Sequence, residues 1–367
     1  MLVSLRSRMM RCAMVAAALI TPSGLTLSSA PDMRAGRASH SATTLLDGRV
    51  LIAGGFITKG SPIGAELFDP QRGQYQSLPP MVHTRHSHTA TRLPDGRVLL
   101  VGGYTSTNEP TASAELFDPR TNSFSPTGTP TGARADHIAV LLSNGKVLLA
   151  GGLGPGWTFL SSAEVYDPAT GRFTATGSMT TPRESHVAVA LRDGRVLVVG
   201  GHRGRREQIQ LYASAEAYDV ASGVFTHVAD MRERRHKHDA VLLRDGRVLI
   251  TGGSDERDFR GGVYASTEFF DPTRNEFTLG PSMKLGRYKH RLSAVVQEDG
   301  RVVLAGGAPQ AELFDPVRGT SSIIEGAPRM AGQFSAVAPL AGGGVLITGG
   351  YGNGTGPRAS SWRIARE

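Results

Sequence analysis

The chain has 367 residues, a formal charge of +8, an isoelectric point near 9.9 and a single cysteine. One cysteine excludes a disulfide framework. The basic excess is modest and comes with no recognition motif, which argues against a nucleic-acid partner.

Taken from the amino terminus, Arg6, Arg8 and Arg11 precede an apolar run from Cys12 to Ile20. A positive flank, a short apolar core and following small residues predict a secretory leader over residues 1–24, with a boundary as late as residue 30. The run is too short to span a bilayer comfortably. Three of the excess charges and the cysteine fall within it. The expected location is therefore secreted, periplasmic or envelope-associated. Residues 25–367 are expected to form one domain.

That domain is repetitive. Gly-Gly closes an apolar run at 54–55, 102–103, 151–152, 200–201, 252–253, 306–307 and 349–350. Around each pair the chain reads Arg-x-x-His-x-Ala-x-x-Leu-x-Asp-Gly-Arg-Val-Leu-x-x-Gly-Gly, then a variable stretch, then Ala-Glu-x-Phe/Tyr-Asp-Pro. In unit 1 the first strand is predicted over His40–Leu46 and the second over Arg49–Ala53. Asp47-Gly48 between them predicts a type I′ hairpin turn, as do its equivalents. The third strand ends at Asp69-Pro70, a tight connection because Pro fixes φ and Asp caps the turn. Unit 4 carries Asp219-Val220 there and is expected to turn more loosely. A fourth strand begins near Tyr75, Phe124, Phe173, Phe225 and Phe277. Four antiparallel strands per unit make one blade of a seven-bladed, all-β propeller.

The last unit supplies three strands and stops. Residues 25–33 are similar to the fourth-strand segment 277–283, so an N-terminal strand is expected to complete the seventh blade and remove a sheet edge.

This pattern resembles the kelch repeat over essentially all of residues 34–367. The resemblance implies a kelch β-propeller similar to the galactose oxidase catalytic domain. It departs where kelch units usually carry Trp at the start of the fourth strand, since this chain has Phe, Tyr or Ser321. Galactose oxidase needs a Tyr crosslinked to Cys, which the mature chain lacks, so that copper chemistry is not implied. Sialic acid mutarotases share the repeat and suggest an alternative, a sugar-acid isomerase or another carbohydrate enzyme. No acid–base pair is identifiable in the sequence, and neither a metal nor a cofactor is expected.

In an up-and-down blade the tight Asp-Gly and Asp-Pro turns share one face. The variable connections share the other, together with the basic clusters of units 4 to 6. Variable loops on a rigid scaffold are where binding resides. The candidate ligand residues at that mouth are the repeated Arg37, Arg85, Arg134, Arg183 and Arg235, then Arg205 and Arg287, and the loop residues Tyr104, Trp157, His202 and Tyr351. Lys289 is the sixth member proposed for the arginine series. A competing structural role pairs those arginines with the repeated Glu66, Glu115, Glu164, Glu216, Glu268 and Glu312, bonding a neighbouring blade. The histidines His40, His88, His137, His186 and His238, replaced by Leu292 and Ser335 in units 6 and 7, are expected to be buried hydrogen-bonding groups. His86 with His88 and His236 with His238 share strand faces at metal-ligand spacing, without an acidic or cysteine companion. Tyr212 and Tyr264 recur in matching segments and read as packing residues. The expected partner is an anionic glycan or an acidic protein segment.

Overall fold

The computed structural model describes residues 24–57, 64–258, 261–326, 330, 332–352 and 355–366. All of the expected leader but Gly24 lies outside the described residues.

Seven four-stranded antiparallel sheets follow one another around an axis. Blade 1 consists of Ser41–Thr44, Val50–Ala53, Ala65–Asp69 and Gln74–Ser77, hydrogen-bonded in that order. Its second strand, like Val98–Val101, Val147–Ala150 and Val196–Val199, is buried at every residue. Both faces of that strand are covered by neighbouring blades, which is why it reads as an unbroken apolar run instead of alternating. The innermost strands carry Ala42, Ala90, Ala139, Ala188 and Ala240 toward the axis, where a cavity of about 160 Å³ is left. On the outer strands, Phe68 stacks on Tyr75, Phe117 on Phe124, Tyr166 on Phe173, Tyr218 on Phe225 and Phe270 on Phe277, with ring centroids 4.7–5.0 Å apart. These cross-strand pairs fill the place where kelch units usually have Trp.

The seventh blade closes as expected. Leu25–Ala30 pairs antiparallel with Ser361–Arg366, setting Leu27 opposite Ile364. Leu25 and Leu27 are buried against Val303, Leu313, Trp362 and Ile364, tying the amino terminus to blades 6 and 7.

Two turn expectations need correction. The Asp-Gly turns are three-residue loops, not type I′. The Gly48 N–H donates to the Leu45 carbonyl (3.1 Å), and only Gly48 has positive φ (+86°). This is a type I turn followed by a left-handed glycine. The Asp47 carboxylate accepts the Arg49 N–H (3.0 Å) and its guanidinium Nε (2.8 Å), which keeps Asp47 out of the left-handed region. In unit 4 the Asp219-Val220 turn is as tight as the others. The Gly223 N–H donates to the Asp219 carbonyl (2.9 Å), and the Asp219 carboxylate caps Ser222. Asp makes this turn, and Pro is dispensable.

The Gly-Gly pairs join blades. The second glycine's N–H donates to the carbonyl of the next blade's repeat arginine, as from Gly55 to Arg85, Gly201 to Arg235 and, closing the circle, Gly350 to Arg37 (2.8–2.9 Å). At the first glycine the next blade's histidine occupies the space a Cβ would need. A Cβ on Gly200 would lie 2.6 Å from His238 Cε1 and 2.7 Å from the Arg235 carbonyl oxygen, at φ +67°.

Candidate functional site

The repeated arginines are scaffold. Arg37, Arg85, Arg134, Arg183, Arg235 and Arg287 are at most 2% exposed. Each donates from Nη1 to the carbonyl of its own blade's first glycine and from Nη2 to that blade's glutamate. In blades 2 to 6 the Arg–Glu distances are 2.8–3.0 Å. The second glutamate oxygen accepts a backbone N–H from the entering chain, as Glu115 does from Val82 (2.8 Å). The pair thus pins the entering segment to the third strand within one blade, not across two. A ligand role for these six is corrected accordingly, because every guanidinium is buried and both of its Nη atoms are spent on its own blade. Tyr212 and Tyr264 close over Arg183 and Arg235, each 5.3 Å from guanidinium carbon to ring centroid, confirming them as packing residues.

Arg287, not Lys289, is the sixth arginine, and His290, not Leu292, stands in the histidine series. Unit 6 has inserted Arg291-Leu292, so its Arg-to-Gly spacing is 19 residues against 17 elsewhere. Asp239 of blade 5 holds that insertion. Its buried carboxylate accepts the N–H groups of Leu292, Ser293 and Ala294 at 2.7–2.8 Å, and of Ala240 at 2.9 Å. Burial pushes this carboxyl up to about 6 against the opposing pull of those donors. Asp239→Asn would turn an amide NH2 toward N–H donors. It should cost about 1–3 kcal/mol at neutral pH in chemical denaturation.

The repeat histidines are buried and reach the preceding blade. His88 Nε2 meets Ser41 Oγ (3.0 Å), His137 Nε2 meets Thr89 Oγ1 (3.0 Å) and His40 Nε2 meets Thr348 Oγ1 (2.8 Å). Burial lowers the pKa of His40, His88, His137, His186 and His238 well below the ordinary value. They are neutral structural groups.

What varies between blades sits between the repeated Arg and His. The second intervening residue is Ser39, Ser87, Asp136, Ser185, Lys237, Lys289 and Phe334 in turn. All seven are left-handed, with φ between +51° and +56°. Their backbones form a hydrogen-bonded ring at the top of the axial cavity, with links at six of the seven neighbouring pairs (3.0–3.2 Å). A left-handed non-glycine residue costs energy, and here that cost recurs at the same repeat position in every blade. Their side chains line the cavity, joined by Arg291 from the unit 6 insertion. Arg291 Nη1 crosses the axis to the His137 carbonyl (3.1 Å).

The first intervening residue pairs with the residue after Gly-Gly to build a tier above the ring: Ala38 with Phe56, His86 with Tyr104, Ala135 with Leu153, Glu184 with His202, His236 with Ser254 and Gln333 with Tyr351. Around Lys289 this tier forms an aromatic box. The ammonium is 5.0–5.4 Å from the ring centroids of Tyr288, Phe334 and Tyr351, and it donates to the Tyr351 hydroxyl (2.9 Å). Lys237 donates to the Tyr288 hydroxyl (2.9 Å) and lies 3.5 Å from Asp258. Burial lowers both lysines below the ordinary ammonium range, and for Lys237 the neighbouring Lys289 adds to the effect.

Among the expected loop residues, Tyr104 is buried against the His86 ring (5.2 Å), and burial followed by the charges of Asp136 and Glu184 raises its hydroxyl. Tyr351 walls the lysine box. Trp157, half exposed, stacks beneath Arg205, whose guanidinium carbon is 3.0 Å from the indole centroid. His202 is buried in a polar chain. Its Nε2 meets Glu184 Oε1 (3.0 Å) and its Nδ1 meets His236 Nδ1 (3.2 Å), while His236 Nε2 meets Asp258 Oδ1 (2.8 Å). His236 and His238 therefore serve different environments, as do His86 and His88. No group of three His, Cys, Asp or Glu side chains is placed to chelate a metal among the described residues.

The carboxylates diverge. Burial and the charge of Glu184 raise Asp136 above the ordinary range. Glu184 is itself lowered, since His202 and Arg205 outweigh its burial. Sequence reasoning missed Asp136, Glu184, Tyr288 and Asp258, and it missed the roles of His236, read as half of a metal pair, and of Lys237, Lys289 and Arg291, read as basic clusters of the variable face. The signal was the two variable columns of Arg-x-x-His, which carry chemistry because the residues flanking them do not vary.

Residues 87–307 match the family model of the KLHDC2/KLHL20/DRC7 kelch-repeats domain. An 88-residue stretch is 28% identical to kelch-like protein 38 of Rattus norvegicus, covering 24% of this chain and 15% of that relative. The chain thus aligns with a small part of that protein's length. Among solved structures, a novel fungal alcohol oxidase with catalytic diversity among the AA5 family, in complex with copper, superposes with a TM-score of 0.70 at 17% identity. The match covers 93% of this chain and 75% of that one. That likeness is one of fold.

Proposed function

Since the chain belongs to the kelch-repeat family of β-propellers, we propose that it is an exported or envelope-associated recognition module that takes an anionic group into its axial mouth. The observation that carries this reading is a pair of inward cations with no carboxylate in direct contact, although Asp136 lines the same cavity and Asp258 acts on Lys289 from farther off. Lys289 and Arg291 line the cavity, and neither has a carboxylate within 4 Å among the described residues. An ammonium in a half-dry mouth is costly unless an anion joins it. The aromatic box keeps Lys289 in place, and the exposed Trp157 beside Arg205 offers a face on which a sugar ring can stack. An acidic glycan uses both features, and an acidic protein segment uses the first.

A glycan array including uronate and sialylated glycans, with acidic peptides as a second arm and a salt titration of each hit, tests this. Binding should weaken steeply with salt. Lys289→Met and Arg291→Met should each lower affinity about tenfold or more, and Trp157→Ala about fivefold, with Tm nearly unchanged. No hit, or affinity indifferent to salt, defeats the reading.

A second reading, acid–base catalysis on a carbohydrate, is favoured by the divergence of Asp136 and Glu184. Environments that separate two carboxyl pKa values are how acid and base roles are assigned. Its test is accelerated anomer exchange of uronic acids by NMR, lost in Glu184→Gln.

A further inference from the structure

The chain Glu184–His202–His236–Asp258 constrains its own proton count. A carboxylate accepts, so His202 Nε2 donates to Glu184 and His236 Nε2 donates to Asp258. The two Nδ1 atoms then face each other at 3.2 Å, with the rings nearly perpendicular at 88°. Two lone pairs cannot bond each other, so one Nδ1 must carry a proton. Three protons on four ring nitrogens give the pair one positive charge. His202 and His236 are 4% and 0% exposed, so an unmade bond here has no water to replace it.

We propose that the His202–His236 pair is a titratable cation of the mouth: one proton held between the Nδ1 atoms strengthens anion binding, and its loss weakens it. This rests on the reading of the mouth as an anion site. The links to that site are Glu184, whose charge acts on Lys237 and Asp136, and Asp258, which faces His236 with Oδ1 and Lys237 with Oδ2. While the pair is charged, its proton offsets one of these two carboxylate charges. Once the proton leaves, both carboxylates face neutral rings and the mouth loses one unit of positive charge. The other groups facing the pair are Glu184 and the ring of Phe159 at His202, and Tyr288 at His236. Arg205 acts through Glu184, while His186 and His238 below are neutral. Burial, only partly offset by Asp258, pulls His236 down to about 4. The sign follows: the proton is bound at low pH and released as pH rises, so affinity falls with rising pH. By linkage, a bound anion raises the proton affinity of the pair.

Asp136 also titrates in this mouth, so the experiment uses Asp136→Asn as background. Nitrogen-15 NMR of the histidine rings in the ligand-free protein reads the pair directly. Across about pH 4–8 it should show both Nε2 atoms protonated and a third proton that is lost as pH rises. Binding of D-glucuronate over the same range should fall about tenfold in the background protein. It should stay flat when His236→Asn is added, since an amide donates to Asp258 without titrating. Two neutral rings at every pH, or a titrating pair with unchanged affinity, overturns the proposal. If D-glucuronate binds at no pH while the third proton is seen, the anion-site reading fails and the gating falls with it, although the shared proton stands.

Discussion

Arg85→Met is expected to destabilise the protein by about 3–5 kcal/mol, read from denaturant unfolding. The guanidinium is fully buried and makes five bonds, to His83, to Gly102, to Ser113 (two) and to Glu115. Its loss leaves Glu115 charged, with no exposure and only the Val82 N–H for company. Adding Glu115→Leu should recover part of the loss, because the largest cost is the unpaired charge rather than the missing pair. If the arginine series held ligand instead, the single variant would fold with nearly normal stability and lose binding. A change below about 1 kcal/mol would therefore return these residues to the mouth.

Removing residues up to Ala30 is expected to abolish the folded monomer. Leu25–Ala30 is the outer strand of the last blade, and without it Ser361–Arg366 becomes an open edge that bares Trp362 and Ile364. Size-exclusion chromatography should show aggregate in place of monomer. Leu27→Ala, which keeps the strand, should cost about 2–4 kcal/mol and remain monomeric. The same result bears on where the expected leader would be cut. A cut after Ala30 would remove the strand that closes the ring, whereas a cut near Ser23 or Gly24 would spare it. A folded monomer starting at Pro31 would contradict the closure.

The fold was legible because glycine and the turn residues leave little choice. A Gly-Gly that must admit the next blade's histidine, and an Asp that must cap its own turn, recur through most units with the spacing of a blade. The turn type was not legible, since Asp-Gly alone does not reveal that Leu46 joins the loop and that Asp47 is held right-handed by Arg49. The insertion in unit 6 hid His290 behind Leu292 and exchanged Lys289 for Arg287, for lack of any sequence sign that Asp239 would hold a bulge. Repetition also misdirected the search for the site. The arginines stood out because they recur, and they recur because each blade needs one. Glu184 was passed over, while His236 was read only as half of a metal pair and Lys237 and Lys289 only as members of basic clusters or of the arginine series. Only the geometry shows that these columns converge on the axis, and that His202 and Tyr351, singled out for following Gly-Gly, belong with them.

The account's central claim is that binding resides in the axial mouth and not in the repeated arginines. Titration calorimetry of a salt-sensitive acidic glycan against two double variants tests it most directly. Lys289→Met/Arg291→Met should fold normally and lose affinity by about a hundredfold, while Arg85→Met/Glu115→Leu should lose stability and keep affinity within about twofold. Unchanged affinity in the first variant, with loss confined to the second, would contradict it.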